Sequence, residues 1–93
     1  MPNKFPIGTV VMTRGVANFF GEREQGFLDQ LMLLQRHASG DWGIVSKEDA
    51  KENDFSVENG YRILSAYTLS ERKIWLITEA DRSSTTFLFP EEY

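Results

Sequence analysis

The stretch YRILSAYTLSERKIWLITEADRSSTTFLF, residues 61–89, decides the fold of this chain. Apolar and polar residues alternate along 61–69, and two further apolar runs follow at 73–79 and 84–89. Polar turns separate the three runs, and alternation with a period of two is typical of β-strands. We therefore predict a three-stranded antiparallel meander in the C-terminal third of the chain.

Apolar residues lie on both faces of these strands, so both faces need a cover. Residues 5–12 predict an N-terminal strand, and residues 22–38 predict the clearest helix. The apolar side chains of that helix recur at spacings of three and four, which predicts one broad face packed on the sheet: Phe27, Leu28, Leu31, Met32, Leu34 and Ala38. Residues 47–53 predict a second, short and strongly polar helix that begins after Ser46.

The predicted fold is a single α+β domain over residues 1–93, a length typical of one domain. A small antiparallel sheet, made of the C-terminal meander and the N-terminal strand, packs on one long helix. The short polar helix lies beside them. A second copy of the chain is a further candidate cover for the remaining face of the sheet.

The composition excludes several classes of protein. The chain contains no cysteine, which rules out disulfides, thiolate catalysis and sulfur-ligated zinc and favours a cytoplasmic location. No apolar run approaches the length of a membrane span, so no membrane partner is expected. The net charge is −4 and the basic residues form no cluster, so direct nucleic-acid binding is not expected. Residues 41–58 carry six acidic and two basic residues and form the most strongly charged segment.

The sequence lacks the residue patterns of familiar catalytic sites. Its only histidine, His37, lies in the last turn of the predicted long helix, where we expect a cation facing the helix dipole. No phosphate-binding glycine loop, nucleophile elbow or calcium-loop spacing occurs. We therefore expect a non-enzymatic protein with no cofactor and no metal site.

Aromatic residues in the acidic segment indicate a surface for a protein partner. Tryptophan anchors many protein interfaces, and Trp42 lies in a turn between two glycines. An acidic patch at Asp41, rimmed by Trp42 and Phe55, would steer the chain towards a basic partner. The second tryptophan, Trp75, lies within a predicted strand and is expected in the core. The leading hypothesis is a protein-interaction or accessory module.

Two other functions remain open. A small-molecule or metal-binding regulator would use the charged turn that contains Glu79, Asp81, Arg82 and Ser83. There the Arg82 guanidinium would grip a carboxylate or phosphate. The strands with two apolar faces are also consistent with a structural homodimer, in which the sheet continues or stacks across a two-fold axis.

The second half of the chain contains a set of distinctive short motifs. They are GDWG at 40–43, RILSAY at 62–67, WLITEADRS at 75–83, TT at 85–86 and PEEY at 90–93, together with Asn53 and Gly60. Over residues 36–93 they resemble a small bacterial family found in plasmids and integrative elements, whose members carry labels such as "plasmid-related protein" and "type I restriction endonuclease subunit M". This chain has neither an S-adenosylmethionine loop nor an Asn-Pro-Pro-Tyr-type motif, so the second label does not describe it. The resemblance implies a setting in mobile-element maintenance, defence or antidefence, and no reaction.

Overall fold

The computed structural model describes residues 3–93, which form a mixed sheet and three α-helices. The strands are β1 (Thr9–Met12), β2 (Ile63–Leu69), β3 (Arg72–Thr78) and β4 (Ser84–Leu88). The helices are α1 (Arg14–Gly21), α2 (Gly26–Ala38) and α3 (Lys47–Asn59), and a 3-10 turn follows at Pro90–Glu92. The strand order in the sheet is β1-β4-β3-β2. The predicted α+β class is confirmed.

The C-terminal meander predicted from residues 61–89 is also confirmed. β2 pairs antiparallel with β3 along its whole length, and β3 pairs antiparallel with β4. A two-residue turn joins β2 to β3, and its residues Ser70 and Glu71 have φ angles of 48° and 65°. Two positive φ angles are the mark of a turn whose twist matches that of the strands it joins.

The N-terminal strand differs from the predicted antiparallel sheet. β1 lies parallel to β4, with Thr9 opposite Ser84 and Met12 opposite Phe87. A parallel neighbour requires a long crossover connection, and here the three helices and the other two strands supply it. Alternating apolar residues do not encode the direction of a strand. The sheet is therefore mixed, which corrects the prediction.

The prediction of one long helix and one short polar helix is also wrong in its details. α2 and α3 each contain 13 residues. The apolar patch at 16–20, which lies between the predicted elements, belongs to α1, which the Thr13 hydroxyl caps. α3 continues beyond residue 53 because Asn53 and Ser56 form a narrow buried side that its polar composition hides. Within residues 3–93, no helix combines the length and apolar character needed to cross a bilayer.

The main core lies between one face of the sheet and the helices α1 and α2. Phe20 of α1 meets Phe87 of β4 edge to face, with 5.5 Å between the ring centroids. Leu33 is the buried apolar residue that α2 contributes. The buried members of this core are Val16, Phe20, Leu33, Tyr67, Ile74, Leu76, Phe87 and Phe89. They tie both helices to the meander.

A smaller core lies between α3, the N-terminal segment and the start of β2. Phe5, Trp42 and Ile63 are its buried members, and Ala50 and Val57 of α3 pack against them. These contacts hold α3 on the protein despite its polar sequence. Phe5 therefore belongs to this core and not to a strand, because β1 begins only at residue 9.

The outer edge of β2 is closed by a side chain and a loop. The Asn53 amide donates to the Leu64 carbonyl at 2.8 Å, and the Asn53 side-chain oxygen accepts from the Leu64 N–H at 3.2 Å. Further along, Ala66 forms a parallel bridge with Gly43, where a φ of 77° and contact with the Ala66 carbonyl leave no room for a Cβ. Asn53 and the loop thus occupy the place of a fifth strand.

Replacing Asn53 with alanine should lower the free energy of unfolding by about 2–3 kcal/mol. The reason is that the N–H and C=O of Leu64 would lose their partners at a partly buried edge. Urea denaturation followed by circular dichroism measures the change. Asn59→Ala is the matched control, because the Asn59 amide bonds the Phe55 carbonyl at an exposed position, and its expected cost is below about 0.5 kcal/mol. Equal losses in the two variants would contradict the role of Asn53.

Candidate functional site

One side of α2 exposes four large apolar side chains. The exposed fractions are 69% for Phe27, 59% for Leu28, 47% for Leu31 and 45% for Met32. Their positions i, i+1, i+4 and i+5 place them together on one side of the helix. We call the surface formed by Phe27, Leu28, Leu31 and Met32 the outer face of α2.

The opposite side of α2 faces the core through Gly26, Leu33 and His37, which are buried. Gly26 permits the close approach of α2 to α1, because a Cβ at this position would overlap the Phe20 carbonyl oxygen. The prediction that the residues of the outer face pack on the sheet is therefore wrong. The apolar residues of α2 span an arc that is too wide for one buried face, but their spacing alone does not show which part of the arc is covered.

Charged side chains border the outer face of α2. Arg23 and Asp29 form an ion pair of 2.8 Å near its N-terminal end, and Arg36 and Asp41 form one of 2.7 Å near its C-terminal end. The hydrogen bond from Arg36 lowers the pKa of the Asp41 carboxyl. A groove of about 240 Å³ adjoins the second pair and is lined by Met32, Gln35, Arg36, Ser39 and Asp41. Asp41, predicted to meet a partner, thus lies on the rim of this face.

A second exposed apolar surface lies at the end of α3. The rings of Phe55 and Tyr61 stack with 5.8 Å between their centroids and 9° between their planes, and both side chains are more than half exposed. Glu52 and Glu58 lie three residues before and after Phe55, which puts them on the same side of the helix. The structure therefore places Phe55, the second residue predicted for a partner, on an exposed and acidic surface.

Trp42 belongs to neither surface. Its side chain is 6% exposed, stacks on Phe5 with 6.1 Å between ring centroids, and donates from Nε1 to Asp54 Oδ1 at 3.1 Å. The turn that carries Trp42 folds back against β2, where the Ala66 N–H donates to the Trp42 carbonyl. The prediction that Trp42 anchors a partner is therefore wrong, and Trp42 is a core residue.

Trp75 was predicted to be buried and is only partly so. Its ring packs edge-on against Tyr93, with 5.8 Å between centroids. It also lines an open groove of about 230 Å³ together with Ile44, Leu64 and Lys73. This groove lies on the sheet face opposite the main core, which the helices α1 and α2 do not cover.

The Arg82 guanidinium makes contacts within the protein. It donates to the main-chain carbonyls of Ser56 and Tyr61, both at 2.7 Å, and to that of Glu79 at 3.1 Å. Arg82 thereby closes the C-terminal end of α3, where the Ser56 carbonyl also accepts from the Gly60 and Tyr61 N–H groups. A guanidinium engaged in this way is poorly placed to grip an anion.

The other residues of the charged turn are also paired. The Glu79 carboxylate forms an ion pair of 3.0 Å with Arg62. The Asp81 carboxylate accepts a hydrogen bond of 2.9 Å from the Ser83 N–H. Glu79, Asp81 and Ser83 thus each have a hydrogen-bond or ion-pair partner within the protein. This pairing argues against a ligand site at this turn.

His37 lies in a buried network of hydrogen bonds. Its ring nitrogens bond the hydroxyls of Ser65 on β2 and Thr78 on β3, the second at 2.8 Å. Thr78 bonds Thr85 at 2.7 Å, and the Thr85 hydroxyl donates to the Ile7 carbonyl at 2.7 Å. Burial lowers the pKa of His37 to about 4, so the imidazole is neutral at pH 7. The prediction of a cation facing the helix dipole is therefore wrong.

The contact between Ser65 and His37 has the residue types of a nucleophile and its base. Both side chains are completely buried, so a substrate has no access to the hydroxyl. Within residues 3–93, no three histidine, cysteine, aspartate or glutamate side chains are grouped to hold a metal ion. The network instead joins α2 to the sheet.

No protein-family model, curated protein or solved structure matches this chain. The resemblance of residues 36–93 to a plasmid-encoded family stays a prediction.

Trp42→Ala should lower the free energy of unfolding by about 3–5 kcal/mol, because it empties the smaller core and removes the hydrogen bond to Asp54. Phe55→Ala provides the matched control at an exposed aromatic residue, with an expected loss below about 1 kcal/mol. Thermal and urea denaturation measure both. A Trp42→Ala protein as stable as the control would refute the core position of Trp42.

Acidification should destabilise the protein through His37. In the unfolded chain this histidine titrates near 6.5, whereas in the folded protein it titrates at about 4, so the unfolded state binds the extra proton first. The free energy of unfolding should therefore have its full value above pH 6.5 and should fall by about 3 kcal/mol as the pH drops towards 4.

Urea denaturation at intervals between pH 7 and pH 4.5 tests this dependence. His37→Gln is the control variant: it should be less stable at pH 7 but should lose little further stability over the same interval. Asp41 and Asp81, whose pKa values are lowered by hydrogen bonds, act mainly below the ordinary aspartate pKa of 3.8. An equal slope in the variant and the natural protein would show that His37 is not the titrating group.

Proposed function

We propose that this chain is a non-enzymatic protein-interaction module and that the outer face of α2 is its binding surface. The observation that carries the proposal is the exposure of Phe27, Leu28, Leu31 and Met32 on a helix whose other side is already in the core. Contiguous apolar surface with a polar rim is typical of sites that bind another protein.

The free energy of solvation supports this proposal. Complete burial of a large apolar side chain stabilises a protein or complex by about 1.5–3 kcal/mol relative to exposure. Phe27 and Leu28 are the more exposed members of the face, so a partner that covers them gains most there. The ion pairs at the two ends of the face hold charged groups at its rim, where they select the orientation of a partner.

The acidic surface at the end of α3 supports the same proposal. Residues 41–58 carry six acidic and two basic residues, and Phe55 stacks on Tyr61 at an exposed position there. A field of this sign accelerates encounter with a basic partner. At this surface the aromatic residue beside Phe55 is Tyr61 and not Trp42, which the sequence predicts there.

The family resemblance adds a setting to the proposal. Residues 36–93 resemble proteins of plasmids and integrative elements, so the module is assigned an accessory, defence or antidefence role in such an element. Its task in that role is to hold another protein. The buried His37 and the internally bonded Arg82 support binding over chemistry or ligand sensing.

Photo-crosslinking tests the proposal. A photoreactive phenylalanine analogue at Phe27 should crosslink to protein in a lysate of the native host. The same analogue at Lys47, an exposed position on α3, is the matched control. The yield at position 27 should exceed that at position 47 by at least about tenfold, because a bound partner covers only the outer face of α2.

A second substitution makes this experiment specific. Leu28→Glu places a charge in the centre of the proposed contact and should abolish the crosslink from position 27, while the exposed position keeps the fold intact. Equal yields at the two positions, or a yield unaffected by Leu28→Glu, would show that the outer face of α2 does not bind protein.

A further inference from the structure

We infer that the outer face of α2 binds the same face of a second copy of this chain, with the two helices antiparallel about a two-fold axis that passes between Leu31 and Met32. This inference rests on the proposed binding role of the outer face of α2 and names the partner of that face; the attraction of a basic partner by the α3 surface is no part of it. It differs from the homodimer expected from the strands, because the outer edge of β2 is closed by Asn53 and the loop at Gly43.

The area of the face suits such a pair. The four side chains expose roughly 400–500 Å² on each protomer, so complete burial of both faces would remove about 800–1,000 Å² in total before the rim is counted. With the rim added, the area passes the lower limit of about 1,000 Å² for a specific interface and stays at the small end of the range. A dimer of this area is in equilibrium with its monomer and is not an obligate one.

The charges at the ends of α2 favour the antiparallel arrangement. Glu22 and Glu24 are exposed just before the N-terminal end of α2. The exposed Lys4 lies at the other end, where its N–H bonds the Ala38 carbonyl. Because Arg23 and Arg36 are paired with Asp29 and Asp41, Glu22 and Glu24 set the charge of one end and Lys4 sets that of the other. Antiparallel helices bring the acidic end of one protomer to the basic end of its partner, and they also oppose the two helix dipoles. A parallel pair would align like charges.

The outer face of α2 is also complementary to itself in shape. Leu28 is exposed near the N-terminal end, and the groove of about 240 Å³ lies near the C-terminal end, lined by Met32 and Gln35 among others. Positions 28 and 35 are equally far from the two-fold axis on opposite sides, so each faces the other across the pair. Leu28 of one protomer therefore enters the groove of its partner, and symmetry makes the contact twice.

Sedimentation velocity of the full chain, from about 1 µM to about 500 µM, tests this inference. The natural protein should shift from monomer to dimer over this range. Leu28→Glu should raise the dissociation constant by about 100-fold. Ile44→Glu is the matched control, an exposed apolar residue replaced by the same charge outside both α2 and α3, and should dimerise like the natural protein.

The orientation of the helices is tested by crosslinking, which benefits from the absence of natural cysteines. A short bis-maleimide should join Leu28→Cys protein to Gln35→Cys protein in a mixture more efficiently than it joins either variant to itself. Preferential joining of 28 to 28 and of 35 to 35 would overturn the antiparallel arrangement. Leu31→Glu, with its fold verified by circular dichroism, serves as a second disrupting variant.

The outcomes separate this inference from the proposed function. A natural protein that stays monomeric at about 500 µM, or a Leu28→Glu protein that dimerises normally, overturns the second copy as partner. If position 27 still crosslinks to a different protein in lysate, the proposed function survives that result. If it crosslinks to nothing, both proposals fail.

Discussion

The hydrogen bonds of His37 determine how α2 is turned about its own axis. The neutral imidazole needs partners for both ring nitrogens, and it finds them in Ser65 and Thr78 on neighbouring strands. Any other rotation of the helix would remove the bonds from the ring to Ser65 and Thr78 and leave Thr78 with its bond to Thr85. Because Leu33 follows the same side of the helix inward, the apolar residues on the other side remain in solvent. The exposed face is therefore a consequence of a polar requirement in the core.

The sequence predicts the parts of this fold that depend on local pattern. Residues 61–89 alternate and contain clear turns, so the meander follows from them. The direction of β1 does not, because pairing with β4 depends on a contact 75 residues away in the chain, Thr9 with Ser84. The sequence predicts too short an α3 for a related reason. Asn53 and Ser56 are polar and resemble surface residues, yet both are buried through contacts that form only in the folded protein.

The candidate site was predictable only in part. Phe55 and Asp41 are exposed as their polar surroundings suggest, whereas Trp42 is drawn into the core by a loop that pairs with β2. A tryptophan between glycines has the same local sequence in either situation. Arg82 is ambiguous in the same way, since an arginine that bonds the carbonyls at a helix end and an arginine that binds an anion have the same local sequence. The sequence groups the residues of the outer face of α2 correctly but predicts that they pack on the sheet. Periodicity shows which apolar residues share a side of the helix and does not show whether that side is buried.

Asn53 also limits how this protein can aggregate. A bare strand edge templates further strands, and repeated addition leads to fibrils. On β2 the main-chain groups of Leu64 and Ala66 are already occupied, so a newcomer would first have to detach α3 and the preceding loop. The opposite edge, β1, offers only four residues. A sheet with one closed edge and one short edge, beside a helix proposed to pair with its own copy, favours closed assemblies of defined size over open-ended polymers.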